Sequence, residues 1–287
     1  MTQLDSLPRR ALTPGGDETT SQPSSLLLSR LPLEIRSYIY ELLLGGKTIH
    51  LIRTDEPKIR HCLCPFRRRK YHLVLFRPEE ASWCYCIMFN KGMPVEEDEE
   101  PSRTKQRIPL LLTCRQIYSE AVNTLYANNT INLQMIQSAD FQLLSDLENT
   151  LPPGRFHAIR SLEISFLHSS QSRKVQKLND EWFARWTKMC TVIASMEGLL
   201  DLQIWLRMDQ GDKAGNSMTA AQELRLFEPL MKINGLRSFR VEVSWPKDQG
   251  GENPLLDNVP FELTRSDALD PDRPVLAVGF INGSPEF

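Results

Sequence analysis

Apolar residues recur at close to the helical period in a segment near the start of the chain. The pattern predicts a helix from about Leu33 to Leu44, with polar residues on its other side. Pro32 favours a first helical turn, and Gly45-Gly46 favours an end, because glycine adopts the left-handed cap conformation at low cost. The predicted inward stripe consists of Leu33, Ile35, Ile39, Leu42 and Leu43.

A second amphipathic segment predicts a helix over about 109–126. Short strands are predicted at 48–52 and 130–133, each directly after one of the two helices. A further helix is predicted at about 139–148, and it ends before the run Pro152-Pro153-Gly154. The inward positions of the second helix are Leu111, Leu112, Ile117, Ala121, Val122 and Leu125.

The second half of the chain has a different pattern, in which predicted strands alternate with predicted helices. The strands lie at 159–166, 199–206 and 236–243, and the helices between them at 177–196 and 219–233. Leu162 to Leu202 spans 40 positions, and Leu202 to Phe239 spans 37. A strand followed by a crossover helix returns in parallel, so units of similar length predict a parallel or mixed sheet. One more strand is predicted at 260–264 or at 275–281.

These elements indicate an α+β or α/β fold with four regions. Residues 1–25 are rich in Ser, Thr, Pro and Gly and predict a disordered tail. Residues 26–150 form a helical first part with short strands and a charged insertion at about 55–107. Residues 155–245 form an α/β region, and residues 246–287 a loop-rich end.

Composition and charge narrow the classes of function. The net charge of −2 provides no overall field for nucleic acid or for an anionic membrane. No apolar run approaches the roughly 20 residues that a membrane-spanning helix needs. The first 25 residues have no apolar core of a signal peptide, so the six cysteines are expected to be reduced, in the cytoplasm or the nucleus.

The two amphipathic segments carry a resemblance to a known family. Leu31-Pro32-x-Glu34-Ile35, continued by Glu41-Leu42-Leu43, resembles the start of an F-box, and 112–121 resembles the second half of such a motif. With Gly45-Gly46 and Asn128-Asn129-Thr130, they resemble a group of fungal domains of unknown function with an F-box-like opening, over about 26–135. The resemblance implies docking on the Skp-type adaptor of a ubiquitin ligase. The implied contacts are Leu31, Pro32, Ile35 and Ile39, and the alternative is that these side chains form the domain's own core.

Four cysteines are candidate metal ligands. Residues two apart in a strand face the same way, so a hairpin between the two cysteine pairs would bring the thiols together. Zinc binds such soft ligands tetrahedrally. The spacing differs from the usual Cys-x2-4-Cys, and packed thiols are the alternative. The candidates are Cys62, Cys64, Cys84 and Cys86.

Other features carry weaker chemistry. The basic stretch 67–70 suits phosphate contacts or nuclear import, or else a solvated loop opposite the acidic block 96–100.

Catalytic motifs for nucleophilic, phosphate-cradling or metalloprotease chemistry do not occur, and Cys114 lies within a predicted helix. Four tryptophans of the second half are predicted to fill its core, with one or two as exposed anchors for a partner: Trp182, Trp186, Trp205 and Trp245.

The favoured interpretation is an intracellular protein-interaction module without enzymatic activity or a cofactor, with an F-box-like substrate receptor as its specific form. Residues 26–46 would bind the adaptor, and residues 155–245 would hold a target. One alternative is a structural or regulatory protein that binds no adaptor. Another is a zinc-dependent nucleic-acid binder that uses the basic stretch and the cysteine pairs, although the net charge of −2 provides no overall field for nucleic acid.

Overall fold

One seven-stranded sheet organises the molecule. The computed structural model describes residues 25–53, 59–63, 108–135, 138–168, 178–208, 218–243, 245 and 259–265. Within these residues the strand order is β2-β1-β3-β4-β5-β6-β7. The strands are β1 (Thr48–Arg53), β2 (Ile59–Leu63), β3 (Thr130–Met135), β4 (Ser161–His168), β5 (Asp201–Met208), β6 (Ser238–Val243) and β7 (Glu262–Arg265).

The predicted α/β fold with parallel pairing is confirmed. Only β2 runs antiparallel to its neighbour among the described strands, while β1, β3, β4, β5, β6 and β7 pair in parallel. Leu162 lies opposite Leu202, and Leu202 lies opposite Phe239. The spacings of 40 and 37 positions therefore correspond to the observed register. Of the two positions predicted for a further strand, 260–264 contains most of β7, and 275–281 lies outside the described residues.

The predicted helices occur in the predicted order: the first has the predicted bounds, Leu33–Leu44, and the two helices of the second half are shorter than predicted. The segment predicted as one helix at 109–126 is divided into α3 and α4, because Cys114 is extended and caps α4, with its Sγ accepting a hydrogen bond from the Ile117 amide. The α-helices are α1 (Leu26–Arg30), α2 (Leu33–Leu44), α3 (Ile108–Leu111), α4 (Arg115–Ala127), α5 (Gln142–Thr150), α6 (Pro153–Phe156), α7 (Asp180–Ala194) and α8 (Ala220–Phe227). Short 3-10 helices lie at Ser138–Phe141 and Leu230–Lys232. None of the helices in the described part of the chain is long and apolar enough to cross a membrane.

The main core lies on one face of the sheet. Alternate residues of each strand point to this face, so that Leu133, Ile164, Ile204 and Val241 form an apolar row across four strands. Residues of α5, α7 and α8 belong to the same buried cluster. Trp182 and Trp186 are almost fully buried there, as is Trp245, and the Trp186 indole donates to the Leu226 carbonyl. Three of the four tryptophans are therefore core residues as predicted, while Trp205 is only half-buried.

Helices α1 to α4 form a smaller helical unit beside the sheet. Its own cluster contains Tyr40, Leu44, Leu111, Ile117 and Ala121. The chain passes from α2 into β1 and from α4 into β3, and β1 and β3 are neighbours in the sheet. Strand β3 in turn pairs with β4 from the second half of the chain. The sheet therefore continues across the boundary predicted between 150 and 155.

Candidate interaction surfaces

The packed face of α2 carries a charge. Arg36, Tyr40 and Leu44 are the buried residues of the helix, and they recur every four positions on one side. Arg36 binds Glu120 of α4 through two bonds, from Nε to Oε2 at 2.8 Å and from Nη2 to Oε1 at 2.7 Å. The hydroxyl of Tyr40 donates to Glu120 Oε2 at 3.0 Å. This bidentate pair holds the two amphipathic segments together across 84 positions of sequence.

The same guanidinium also orients the start of α2. Arg36 Nη1 donates to the Leu31 carbonyl at 2.6 Å and approaches the Leu28 carbonyl at 3.4 Å. Gln116 adds a hydrogen bond to Glu120 Oε1 at 3.0 Å. Every polar group at this contact is thereby provided with a partner, as a charge removed from water requires.

Electrostatics at this contact favour the ion pair and a neutral phenol. Burial alone would raise the pKa of Glu120, but hydrogen bonds from Arg36, Gln116 and Tyr40 outweigh it, so the pKa of this carboxyl is lowered. Burial, followed by the hydrogen bond to Glu120, raises the pKa of Tyr40 to about 12. The hydrogen bond to Glu120 raises the pKa of Arg36. The contact is therefore ionised as a pair over the whole neutral range.

The opposite end of α2 is held by the asparagines of the second segment. The Asn129 amide nitrogen donates to the Leu44 carbonyl at 2.8 Å, and its oxygen accepts from the Lys47 amide at 2.8 Å. Asn128 donates to Glu41 at 3.0 Å. Gly45 lies so close to α4 that an added Cβ would be 2.9 Å from the Glu41 carbonyl oxygen and 3.0 Å from the Asn128 Cβ. Several of the residues that carry the resemblance thus join the two segments to each other.

The outward side of α2 is apolar, which corrects the predicted inward stripe. Ile35, Tyr38 and Leu42 are 48%, 61% and 62% exposed, and Leu33 and Leu43 are exposed as well. Ile39 is half-buried beside them. The hydrophobic pattern predicted Arg36 on the solvent side of α2, whereas the side chain is buried because Glu120 provides a partner. Ile35, Tyr38, Ile39 and Leu42 have the spacing i, i+3, i+4 and i+7 of a helix surface and are called the outer helix face.

The four residues predicted to bind the adaptor divide between two environments. Ile35 and Ile39 share the outer helix face, while Leu31 is half-buried and Pro32 is exposed at the start of the helix. Tyr38 and Leu42 are not among the contacts predicted from the sequence. Their spacing of three and seven residues from Ile35 was the signal that places them on the same side.

The second face of the sheet carries mainly polar residues, most consistently on β3, β6 and β7. The alternate positions that point away from the main core form rows of residues in register. Parallel sheets are usually covered by apolar contacts on both faces, so a polar face indicates a different use. The middle row is His50, Asn132, Glu163, Gln203, Arg240 and Glu262, and the next row includes Gln134, Ser165, Trp205, Glu242 and Thr264.

Three side chains of the middle row, on β1, β3 and β4, are joined to one another by hydrogen bonds. His50 Nδ1 lies 3.0 Å from Asn132 Oδ1, and Asn132 Nδ2 donates to Glu163 Oε2 at 3.1 Å. His50 and Asn132 are both buried. Gln134 and Ser165 in the next row are buried too. These four side chains are therefore inaccessible to a large partner, whereas Glu163 is half-buried.

The other half of this face is open. Gln203 is half-buried and Arg240 and Glu262 are exposed, and in the described part of the chain no hydrogen bond or ion pair is found for these three side chains. Trp205 is half-buried and donates its indole N–H to Glu242 Oε2 at 3.0 Å. We call this area the open sheet patch, and it consists of Gln203, Trp205, Arg240, Glu242, Glu262 and Thr264.

Only one of the four predicted metal ligands lies within the described residues, so the zinc site stays a prediction. Cys62 lies in β2 opposite His50, and Cys64, Cys84 and Cys86 lie outside the described residues. No group of three His, Cys, Asp or Glu side chains suited to a metal ion occurs in the described part. The basic stretch 67–70, the acidic block 96–100 and residues 1–24 also lie outside it.

Neither the buried thiol Cys190 nor the groove beside α7 and α8 is a strong candidate for a functional site. Cys190 is buried, and burial raises its pKa, which opposes the thiolate form that a nucleophile requires. A shallow groove of about 530 Å³ lies beside α7 and α8, and four of its charges form two pairs, Arg225 with Asp180 at 2.8 Å and Lys232 with Glu228 at 3.5 Å. Arg225 also lies over the Phe183 ring, 4.2 Å from its centre. The outer helix face and the open sheet patch are therefore the stronger candidates.

Comparison with known proteins places the chain in a family without assigning an activity. A family model described as a domain of unknown function, DUF7730, matches residues 20–256. No curated protein and no solved structure matches the chain. The matched range includes both the helical unit and β1 to β6 of the sheet.

Proposed function

The chain belongs to the DUF7730 family of domains of unknown function, and we propose that it is a protein-interaction module that binds a Skp-type adaptor through its outer helix face. In this role the chain is an F-box-like substrate receptor of a ubiquitin ligase. The adaptor contacts are Ile35, Tyr38, Ile39 and Leu42, and the sheet region holds the target. The chain itself performs no chemical step.

The observation that carries the proposal is the exposure of large apolar side chains on one side of α2. Ile35, Tyr38 and Leu42 are each about half exposed or more, although the helix has a buried side available. Fully burying an aliphatic or aromatic side chain of this size contributes about 1.5–3 kcal/mol. An amphipathic helix with this spacing is suited to bind in an apolar groove of a partner. Burial of the outer helix face by a partner protein would therefore lower the free energy.

The outer helix face is held in a defined orientation. Arg36 and Tyr40 bind Glu120 at one end of α2, and Asn129 binds the Leu44 carbonyl at the other. A surface that is ordered before binding loses less conformational freedom in the complex. These internal contacts therefore support recognition by a rigid partner groove.

A second candidate, a structural or regulatory protein that binds no adaptor, is favoured by one observation. Glu41, Gly45, Asn128 and Asn129, which belong to the resembling motifs, make contacts within the chain. Motif residues of this kind serve the packing of the helical unit whether or not an adaptor binds. The two candidates differ only in what covers the outer helix face, so binding decides between them.

The test is co-expression with a Skp-type adaptor, followed by size-exclusion chromatography and measurement of the mass of the complex. We expect a 1:1 complex with the wild-type chain and its loss with Ile35→Asp plus Leu42→Asp, because two desolvated carboxylates oppose docking. The contacts predicted from the sequence give a second variant, Ile35→Asp plus Ile39→Asp, with the same expected loss.

The matched control is Leu26→Asp plus Leu112→Asp. These leucines are 72% and 68% exposed and lie outside α2, so the same chemical change leaves the outer helix face intact. Circular dichroism and thermal unfolding establish that each variant is folded. A folded wild-type chain that forms no complex with the adaptor would contradict the receptor function and favour the structural candidate.

A further inference from the structure

The outer helix face has an acidic border along one side. Glu34 and Glu41 are exposed and lie seven positions apart, so they are on the same side of α2, with Tyr38 between them. We propose that the partner of the outer helix face presents an apolar groove with lysine or arginine side chains along one edge, which contact Glu34 and Glu41. This inference rests on the proposed function for its docking surface, and it adds the chemistry and the orientation of the partner.

The charges of the two carboxylates are not neutralised by the chain itself. In the described part of the chain no ion pair is found for Glu34 or Glu41. Glu41 accepts a hydrogen bond at 3.0 Å from the neutral amide of Asn128, which orients the side chain without cancelling its charge. The one basic residue of α2, Arg36, is buried and bound to Glu120. The exposed surface of α2 is therefore apolar and acidic, with no cation of its own.

The stability of the helix accounts for only one of these carboxylates. Glu34 lies in the first turn of α2, where the helix dipole favours a negative charge. Glu41 lies in the last turn, where the dipole disfavours one. A cation from a partner protein would provide Glu41 with the countercharge that the helix lacks.

The acidic border lies on one side of the outer helix face only. Ile39 and Leu43 lie on the other side, where Ile39 is half-buried and Leu43 is exposed. A groove that binds α2 would therefore have its basic edge beside Glu34 and Glu41 and an apolar edge beside Leu43. Turning the helix end for end in the groove would exchange the two edges, so the charges determine the direction in which α2 binds.

The same border disfavours other occupants of this face. Amphipathic helices that bind membranes carry lysine and arginine on their polar side, and nucleic acid likewise requires basic contacts. In a two-fold dimer of the chain, the border would meet the same carboxylates of the other copy if the two helices were antiparallel, or the apolar side near Leu43 if they were parallel. Both arrangements are unfavourable, because like charges repel and unpaired carboxylates lose water. A protein groove with a basic edge is the occupant that fits.

The test measures the binding of two fluorescein-labelled peptides to the full chain by fluorescence anisotropy. Both peptides carry a leucine stripe at helical spacing, and they differ only in a border of lysines or of glutamates beside it. The lysine peptide is expected to bind about tenfold more tightly than the glutamate peptide. Ile35→Asp plus Leu42→Asp is expected to abolish the binding of both peptides, because it removes the apolar surface.

Variants of the border separate its charge from the apolar contact. Glu34→Gln plus Glu41→Gln is expected to weaken binding of the lysine peptide roughly fivefold, mainly through slower association at low salt. Glu34→Lys plus Glu41→Lys is expected to reverse the preference between the peptides. The matched control is Glu181→Gln plus Glu197→Gln, which makes the same change in net charge at two exposed residues outside α2. It is expected to leave both affinities unchanged.

Equal affinities for the two peptides, or a folded chain that binds neither, would overturn the proposal. An equal loss of affinity in the control variant would overturn it by assigning binding to net charge alone. A dimer that becomes monomeric in Ile35→Asp plus Leu42→Asp would overturn it in favour of a second copy.

Co-expression with the adaptor distinguishes a failure of this inference from a failure of the proposed function. A preference for the lysine peptide without an adaptor complex would refute the adaptor and support a different partner with a basic edge. An adaptor complex that is unaffected by Glu34→Lys plus Glu41→Lys would support the receptor function and overturn the basic edge.

Discussion

At the scale of residues, one ion pair determines how the helical unit is assembled. Arg36 and Glu120 have side chains with 10% and 14% exposure, and each is bonded on several sides. A buried charge without its partner is strongly destabilising, whereas the intact pair is tolerated. Arg36 is therefore accommodated on the packed side of α2 only while Glu120 is present and ionised.

Glu120→Gln is expected to lower the melting temperature of the chain by several degrees. The variant keeps the size of the side chain but leaves the Arg36 guanidinium without a countercharge in a buried contact. Thermal unfolding followed by circular dichroism measures the effect. Glu34→Gln is the matched control, because Glu34 is exposed on the same helix, and it is expected to unfold like the wild type. Equal melting temperatures for Glu120→Gln and Glu34→Gln would contradict the structural role of the pair.

Acid is expected to remove the contribution of the same pair. The pKa of Glu120 is lowered in the folded state, so its contribution is present above the unfolded pKa of about 4.3 and is lost as the pH falls through the folded value. Glu120→Gln has no such group, so the difference in melting temperature between wild type and variant is expected to shrink below about pH 4. Melting curves at several pH values measure it. A difference that stays constant down to pH 2 would show that the carboxylate charge plays no part.

At the scale of elements, the end of α2 depends on close packing against the end of α4. In the sequence, only the pair Gly45-Gly46 indicates this packing. Gly45 lies against the carbonyl of Glu41 and the side chain of Asn128, and Gly46 has a positive φ of 66°. The glycines were predicted to end the helix, and they do. A side chain at Gly45 is excluded by these contacts, whereas one at Gly46 is disfavoured by the backbone conformation. The contacts of Gly45 depend on the position of α4, which no local pattern encodes.

Gly45→Ala is expected to destabilise the chain by about 1–3 kcal/mol, because a methyl group at this site overlaps atoms of two elements. Gly46→Ala is expected to cost about 1–2 kcal/mol through its left-handed backbone alone. Gly154→Ala is the control, since an added Cβ there meets nothing within 4 Å. Chemical denaturation measures all three. An unchanged stability of Gly45→Ala would contradict the close packing of α2 against α4.

At the scale of the whole molecule, the sheet unites two halves that differ in sequence pattern. The apolar row Leu51, Leu133, Ile164, Ile204 and Val241 crosses from strands of the first half to strands of the second. At the far edge, Glu223 of α8 binds Arg265 of β7 at 2.6 Å and accepts from the Trp245 indole at 2.9 Å. The buried cluster of this sheet contains Leu51 from β1 as well as Phe261 next to β7.

The continuous core predicts a single cooperative unfolding transition. Leu133→Ala, at a fully buried position of β3, is expected to destabilise the chain by about 2–5 kcal/mol. Because β3 and β4 share the core, tryptophan fluorescence from the second half and circular dichroism from all helices should shift together. Leu112→Ala, at an exposed leucine, is the control and should leave both probes unchanged. Two separate transitions, with only one affected by Leu133→Ala, would contradict a shared core.

Local patterns predicted most of the elements because they depend on neighbouring residues. Alternation located β4, β5 and β6, and the 40- and 37-residue spacings matched the register because each unit is one strand and one return path. The outer helix face was assigned to the wrong side of α2. Periodicity identifies two sides of a helix, but hydrophobicity alone does not show which side the rest of the fold covers.

The sequence by itself determined where most of the helices and strands lie and where α2 ends, and it predicted a parallel or mixed sheet, because hydrophobic period, glycine and strand spacing act locally. Only the tertiary structure decided which side of each element is buried. Arg36 is buried because Glu120 meets it from 84 positions away. The open sheet patch exists because three strands distant in sequence align in register. Such contacts depend on the free energy of the whole fold, in which a charge is buried only where a distant partner compensates for lost water.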